Sequence, residues 1–100
     1  MPNHLSINED ALRQFCRRHH IIEMRLFGSV LRDDFGRDSD VDVLVRFAPG
    51  QSPGWEIVDI EQELGELIGR KVDLITFGGL KPWWRDEILP RSEVIYHDAA

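Results

Sequence analysis

The sequence of 100 residues has one cysteine, Cys16, and no apolar segment long enough to cross a bilayer. One thiol cannot form a disulfide within the chain or build a cysteine-rich zinc site. A membrane span needs about 18–20 apolar residues, and the opening segment MPNHLSINED also lacks the basic and apolar regions of a signal peptide. We therefore expect a cytoplasmic protein with no membrane partner. A chain this short predicts a single domain over residues 1–100.

Positive charge is also scarce in this chain. The 18 acidic residues outnumber the 12 lysines and arginines, which gives a net charge of −6. Such a surface repels a phosphate backbone, so the composition argues against direct nucleic-acid binding. Only Lys71 and Lys81 are lysines, and the remaining basic residues are arginines, which suit bidentate recognition of phosphate or carboxylate. A small anionic ligand is therefore compatible with this acidic protein.

Several common ligand-binding motifs are missing. No Gly-Lys-Ser/Thr occurs, which excludes a Walker phosphate loop, and the absence of Gly-x-Gly-x-x-Gly removes the usual dinucleotide fingerprint. The stretch from Asp38 to Asp42 begins like a calcium loop, but Val43 stands where a glycine is required. The chemistry must therefore be sought in another pattern.

Helix and strand patterns alternate along the chain. Ser6 followed by Glu9 resembles a capping box ahead of apolar residues at helical spacing, and Gly69 ends a second amphipathic helix. We predict helical segments at 6–18, 30–32, 57–68 and 82–89, and strands at 23–27, 40–47, 72–76 and 93–96. This alternation predicts a small α/β (α+β) domain in which helices pack against a sheet.

The most informative residues are closely spaced aspartates between positions 33 and 42. We interpret Asp33, Asp34 and Asp38 as a solvated acidic loop. Asp40 and Asp42 are two apart on a predicted strand, so both carboxylates leave one face of the sheet while valines fill the other. Strand interiors rarely contain aspartate. Paired carboxylates on a rigid strand can hold two divalent cations about 3.5–4 Å apart.

Two further features complete a candidate site. Asp73 lies within the apolar strand 72–76, and three carboxylates meet if that strand lies beside 40–47. Without cations, such a cluster raises the pKa of at least one carboxyl group. Gly28-Ser29 separates a strand from a short helical segment whose free N–H groups attract anions. Arg32 follows Ser29 by one helical turn and could hold a phosphate oxygen or an acidic loop residue.

The composite pattern resembles the signature of the polymerase-beta-type nucleotidyltransferases. It consists of Gly28-Ser29, a ten-residue interval, Asp40-Val41-Asp42, and Asp73 on a later strand. The similarity is closest to the minimal nucleotidyltransferases, the small partners of HEPN-domain toxins, and it extends to Arg32 and Ser39. The resemblance implies a polymerase-beta-type core with a small mixed sheet of about four strands and helices packed against it.

The resemblance also implies which residues bind and react. Asp40 and Asp42 would ligate two Mg²⁺ ions, and Asp73 would ligate one of them while orienting or deprotonating the attacking hydroxyl. Gly28 and Ser29 would hold the β- and γ-phosphates of ATP. Arg32 and Ser39 are the further nucleotide-binding residues that the resemblance implies.

The implied reaction is transfer of AMP from ATP to a hydroxyl of a cognate HEPN toxin. The chain leaves no room for an acceptor-binding domain, so the acceptor, implied to be a tyrosine, would arrive on the partner, and the protein would act as an antitoxin. One alternative is an antitoxin that neutralises its toxin by binding alone. Another is nucleotidyl transfer to a small-molecule hydroxyl.

The three tryptophans offer a possible partner contact. We expect one of Trp83 and Trp84 to pack inside and the other to be half-covered, with one of them available to a partner. Trp55 is expected in the core or as a loop anchor.

Overall fold

The computed structural model describes residues 5–32, 36 and 39–98, in which strands and helices alternate. The strands are β1 (Ile21–Phe27), β2 (Val41–Phe47), β3 (Val72–Thr76) and β4 (Glu93–His97). The α-helices are α1 (Glu9–Arg18), α2 (Ile57–Ile68) and α3 (Pro82–Ile88). Short 3₁₀ turns follow β1, β3 and α3 at Gly28–Leu31, Phe77–Gly79 and Leu89–Arg91.

The four strands form one mixed sheet in the order β3-β2-β1-β4. β1 pairs antiparallel with both β2 and β4, whereas β2 and β3 are parallel and are connected through α2. A parallel pair needs a long crossover, and α2 supplies it. The predicted fold class, a small mixed sheet with helices packed on it, is confirmed.

The main core lies between the sheet and helices α1 and α2. Alternation along β2 turns Val41, Val43 and Val45 toward these helices, and all three are fully buried. Phe15 and Cys16 of α1 pack in the same cluster. Burial raises the pKa of the Cys16 thiol to about 12, so this thiol is an inert packing group at neutral pH.

A second, smaller core lies on the opposite side of the sheet. It contains Leu44 of β2, Phe77, Leu80 and Ile88 of α3, with Phe27 packed partly against it. Because side chains alternate along a strand, Asp42 leaves β2 on the same side as Leu44. Asp42 therefore lies on the α3 side of the sheet.

Several ends of the elements differ from the predicted ones by one to three residues. β2 begins at Val41, so Asp40 lies one residue before the strand rather than within it as predicted. Three starts differ by two residues or more. α1 begins at Glu9 rather than at residue 6, because Asn8 is the N-cap and its Oδ1 accepts a hydrogen bond from the Ala11 N–H at 3.0 Å. β1 begins at Ile21, two residues before the predicted strand. The turn after β1 begins at Gly28, not at residue 30, and it is a 3₁₀ turn.

A side chain of α2 bonds to one backbone N–H on the outer edge of the sheet at β3. The backbone N–H of Leu74 donates a hydrogen bond of 2.8 Å to Oε2 of Glu61. β3 is an edge strand of the sheet, so this contact joins the crossover helix to the edge strand that carries Asp73. Among the described residues, no helix is both long enough and apolar enough to pass through a membrane.

Candidate active site

Asp42 and Asp73 are direct partners in the parallel pairing of β2 and β3. Partner residues on neighbouring strands point to the same side of a sheet, so the two carboxylates lie side by side on the α3 face. Asp42 is half-buried and Asp73 is exposed. The adjacency of the two strands, which the spacing of the aspartates left open, is therefore present in the structure.

Gly28 brings the turn after β1 against Asp42. Phe27, the residue before it, is the antiparallel partner of Asp42. Gly28 has a φ of 77°, and a Cβ built at this position would overlap Oδ2 of Asp42 and come within 3.3 Å of its Cγ. A glycine is needed here both for the backbone conformation and for the close approach of the carboxylate.

The electrostatics of Asp42 report on the groups around it. Partial burial raises the pKa of the Asp42 carboxyl, the nearby Asp73 and Asp40 carboxylates raise it further, and the Arg32 guanidinium lowers it. Repulsion between like charges that share one site has this effect on a carboxyl pKa. Asp40, Asp42, Asp73 and Arg32 therefore lie in one electrostatic environment.

The segment before β2 is fixed by Arg70, a residue that the sequence analysis did not single out. The Arg70 Nη2 donates to the carbonyl oxygen of Gly36 and, at 3.0 Å, to that of Ser39. The Ser39 hydroxyl in turn accepts the Gly36 N–H at 3.1 Å. Arg70 thus links the start of β3 to the segment that leads into Asp40. No local pattern in the sequence marks this role, because the partners of Arg70 are distant along the chain.

Each predicted nucleotide-binding residue has a defined place. Gly28 and Ser29 begin the 3₁₀ turn, and the Arg32 N–H donates to the Ser29 carbonyl at 2.9 Å as the turn ends. Ser39 is half-buried and holds Gly36. Ser39 therefore shapes the loop, whereas Gly28 and Arg32 stand beside Asp42. Asp33, Asp34 and Asp38, interpreted as a solvated loop, lie outside the described residues.

The carboxylates offer hard oxygen donors, but they are not gathered into a closed cation site. In the described part of the chain, no three His, Cys, Asp or Glu side chains are arranged so that they could hold a metal ion. The donor chemistry still fits a hard divalent cation, because Asp42 and Asp73 are register partners and Asp40 is close enough to raise the Asp42 pKa.

The tryptophans are more exposed than the sequence analysis predicted. Trp83 and Trp84 are 67% and 40% exposed, so neither is packed inside as expected. Trp55 is 93% exposed, and its expected place in the core is wrong. It lies on the connection between β2 and α2, which leaves β2 at the end remote from Asp42. Trp84 also lines a pocket beside Gly28 and Arg32.

The fold is found in solved toxin–antitoxin structures. A crystal structure of a toxin–antitoxin with AMP-PNP gives a TM-score of 0.74 at 19% identity over 93% of this chain and 76% of that chain. The tri-AMPylated HEPN toxin of Shewanella oneidensis in complex with MNT antitoxin gives 0.65 at 17% identity over 90% and 70%. A structure with a provisional designation as a minimal nucleotidyltransferase gives 0.70 at 33% identity over 84% and 85%.

Sequence relatives point in the same direction. The protein adenylyltransferase MntA of Thermococcus cleftensis is 34% identical over 92 residues, covering 92% of this chain and 87% of the relative. A Methanocaldococcus jannaschii protein, provisionally named a protein adenylyltransferase, is 35% identical over 72 residues, covering 72% and 76%. Residues 9–96, which contain Gly28 and all three site aspartates, match the nucleotidyltransferase domain family. The chain therefore belongs to the nucleotidyltransferase domain family.

Proposed function

We propose that this protein is a protein adenylyltransferase that moves AMP from ATP to a tyrosine hydroxyl of a HEPN toxin and thereby acts as an antitoxin. The observation that carries the proposal is the pairing of Asp42 with Asp73 directly beside Gly28. Membership of the nucleotidyltransferase family and the likeness to a protein adenylyltransferase support it. Residues 1–100 act in this proposal as one minimal nucleotidyltransferase domain.

The reaction is a displacement at the α-phosphorus of ATP. The acceptor oxygen forms a bond to this phosphorus while the bond to the oxygen bridging the α- and β-phosphates breaks, and pyrophosphate leaves with the electron pair. Asp73 orients the acceptor hydroxyl and accepts its proton; the exposed position of this side chain leaves it accessible to an acceptor on another protein. The product is AMP joined to the toxin through a phosphodiester.

The remaining residues hold the nucleotide. The N–H groups of the turn at Gly28 and Ser29 bind the β- and γ-phosphates, because the first N–H groups of a helical turn have no partner within it. The Arg32 guanidinium, which already acts on Asp42, adds positive charge there. Ser39 supports the loop that leads to Asp40.

Two Mg²⁺ ions are the cofactor that suits this donor set. Asp40 and Asp42 would hold both ions and Asp73 one of them, as hard carboxylate oxygens do. When bound, these ions would supply positive charge that stabilises the negative oxygens of the nucleotide. The pKa of Asp42 is raised mainly by burial and further by repulsion from Asp73 and Asp40, and a bound cation would relieve that repulsion.

The test is transfer of label from [α-³²P]ATP to purified toxin in the presence of Mg²⁺. Wild-type protein labels the toxin, and the double variant Asp40→Asn/Asp42→Asn lowers labelling about 100-fold or more because charge stabilisation at the transition state is lost. The control, Asp10→Asn/Asp86→Asn, removes two exposed carboxylates on α1 and α3 and keeps transfer.

Two outcomes separate this proposal from its alternatives. Toxin inhibition that survives Asp40→Asn/Asp42→Asn without any labelling would contradict catalysis and indicate neutralisation by binding. Label on a small hydroxylated compound in the absence of toxin would indicate a small-molecule acceptor.

Asp73→Asn separates the roles within the site: we expect turnover to fall much more than ATP affinity, because Asp73 acts on the acceptor.

A further inference from the structure

A pocket of about 390 Å³ lies between α3 and the 3₁₀ turn at Gly28–Leu31. One wall is formed by Trp84, Glu87, Ile88 and Arg91, which recur at the three- to four-residue spacing of one helical face. The opposite wall includes Gly28 and Arg32. We call this the α3 pocket. Its lining contains two aromatic rings, aliphatic side chains and three charged groups, of which two are guanidinium groups.

The order of the strands places the α3 pocket on a definite side of the aspartates. Asp73 on β3, Asp42 on β2 and Phe27 on β1 are successive register partners, so they form a row across the sheet. The pocket is lined by Phe27 and Gly28 at the β1 end of this row and by neither Asp42 nor Asp73. It therefore lies beyond Gly28, on the side opposite Asp73.

The geometry of displacement at phosphorus indicates which end of the nucleotide faces the α3 pocket. The attacking and leaving oxygens stand roughly in line at the reacting phosphorus. If Asp73 marks the side from which the acceptor attacks, the leaving pyrophosphate must extend along the row toward Gly28 and beyond it. That direction leads to the α3 pocket, so the pocket faces the end of the nucleotide that carries the most negative charge.

Arg91 is suited to meet that charge. It is exposed, and among the described residues it forms no ion pair within 4 Å, not even with Glu87 one turn before it. Arg32 lines the same pocket and acts on the Asp42 carboxyl, so it connects the pocket with the aspartates. A planar guanidinium binds phosphate through two parallel hydrogen bonds.

From this placement we propose that the α3 pocket binds the pyrophosphate end of the nucleotide and that Arg91, acting with Arg32, contacts its phosphate oxygens. The inference rests on the proposed adenylyl transfer and assigns it a leaving-group site. Arg91 is then a substrate-binding residue for ATP and for the pyrophosphate product, and it makes no contact with the AMP portion that is transferred.

The test is equilibrium binding of magnesium pyrophosphate, ATP and AMP to purified variants. We expect Arg91→Gln to weaken pyrophosphate and ATP about tenfold, the loss expected for a charged hydrogen bond, and to leave AMP affinity unchanged. Arg91→Lys keeps the positive charge but loses the planar guanidinium that donates two parallel hydrogen bonds, so it retains part of the affinity. Arg13→Gln, which removes an exposed arginine on α1, is the matched control and changes none of the three affinities.

Each other result overturns the inference. Wild-type affinities for pyrophosphate and ATP in Arg91→Gln would show that Arg91 does not bind them, and an equal loss for AMP would show that the pocket holds the nucleoside. A loss confined to toxin affinity would make the pocket a protein-docking surface. Transfer of label to toxin by wild-type protein that does not bind pyrophosphate would refute this inference while leaving the proposed function intact.

Discussion

Gly28 is the residue on which the geometry of the site depends most directly. Its φ of 77° lies in the left-handed region, and its missing side chain leaves the space that Oδ2 of Asp42 occupies. Two other glycines allow these effects to be separated. Gly50 has a φ of 78° with nothing within 4 Å of a built Cβ, and Gly78 has neither a positive φ nor a nearby atom.

We expect three alanine substitutions to differ in their cost to the free energy of unfolding. Gly50→Ala costs about 1 kcal/mol for backbone strain alone, and Gly78→Ala stays within about 0.5 kcal/mol of wild type. Gly28→Ala costs about 2–3 kcal/mol, because the overlap with Asp42 adds to the strain. Urea unfolding measures all three values. Equal costs for Gly28→Ala and Gly50→Ala would mean that Asp42 moves aside without penalty.

At the residue scale, the sequence predicts which side of a strand a side chain occupies, but it does not predict contacts between residues that are distant along the chain. Alternation along β2 correctly separates Asp42 and Leu44 from Val41, Val43 and Val45. Asp40 lies just before the strand, so the predicted shared face of Asp40 and Asp42 does not follow from strand alternation. The part played by Arg70 was not predictable, because its partners are the carbonyl oxygens of Gly36 and Ser39, more than thirty positions earlier. Nothing in the sequence marks which arginine binds a backbone carbonyl.

At the scale of the elements, the site depends on keeping the segment before β2 in place against the start of β3. Arg70 makes two hydrogen bonds across this junction, and the Val41 N–H donates to the Lys71 carbonyl at 2.9 Å. Asp40 lies between these contacts along the chain. Arg70 is therefore a positioning residue, which acts on the site through the backbone of Gly36 and Ser39.

We expect Arg70→Gln to lower turnover about tenfold or more, because small displacements of reacting groups are costly. The neighbouring substitution Lys71→Gln also removes one positive charge, but it leaves the backbone bond to Val41 intact, and it serves as the matched control. The measurement is kcat and KM for ATP, together with urea unfolding. A loss of turnover equal in both variants would assign the effect to charge rather than to position.

The elements themselves were largely predictable, and their pairing was not. Strand 72–76 and helix 57–68 agree with the predicted bounds, because apolar periodicity and the helix-ending Gly69 are local signals. The helix start was misplaced, since Ser6 and Asn8 are both good caps and only the structure shows that Asn8 forms the bond. The register between β2 and β3 depends on long-range packing, so no local pattern specifies it.

For the whole molecule, repulsion among the excess acidic side chains lowers the stability of the ligand-free protein. The net charge is −6, and the carboxylates around Asp42 add local repulsion. A pKa raised in the folded state means that the folded form holds its proton more tightly than the unfolded chain does. Stability therefore falls as pH rises from the ordinary aspartate value of 3.8 through the raised pKa of Asp42.

We expect Asp42→Asn to raise the melting temperature at pH 7 in EDTA, because it removes the repelled charge. The gain in melting temperature disappears below the ordinary aspartate pKa of 3.8, where wild-type Asp42 is also neutral.

We also expect magnesium with ATP, at about 100 times its Kd, to stabilise wild type by about 2.7 kcal/mol, and we expect Asp42→Asn to lose this stabilisation. Thermal scans at several pH values, with Asp86→Asn as an exposed control, measure both effects. A lower melting temperature for Asp42→Asn at pH 7 would contradict this account.

The exposed tryptophans show that composition alone does not predict which large side chains of the molecule are buried. Aromatic residues are usually assigned to the core, yet Trp55 and Trp83 are mostly exposed, because the two cores are filled by aliphatic side chains and phenylalanines. How many large side chains a small sheet can cover depends on the assembled fold. Exposed aromatic residues on α3 beside the α3 pocket agree with a surface that meets another protein.

The bond between Glu61 and the Leu74 N–H restricts how a second chain can approach. An open edge strand normally invites β-augmentation, in which an incoming peptide adds another strand through backbone hydrogen bonds. Here the carboxylate of Glu61 already accepts a hydrogen bond from one N–H of this edge strand, that of Leu74 next to Asp73. For the proposed transfer, we therefore expect the acceptor hydroxyl to be presented over the face of the sheet, on a folded surface, rather than on an extended peptide running along its border.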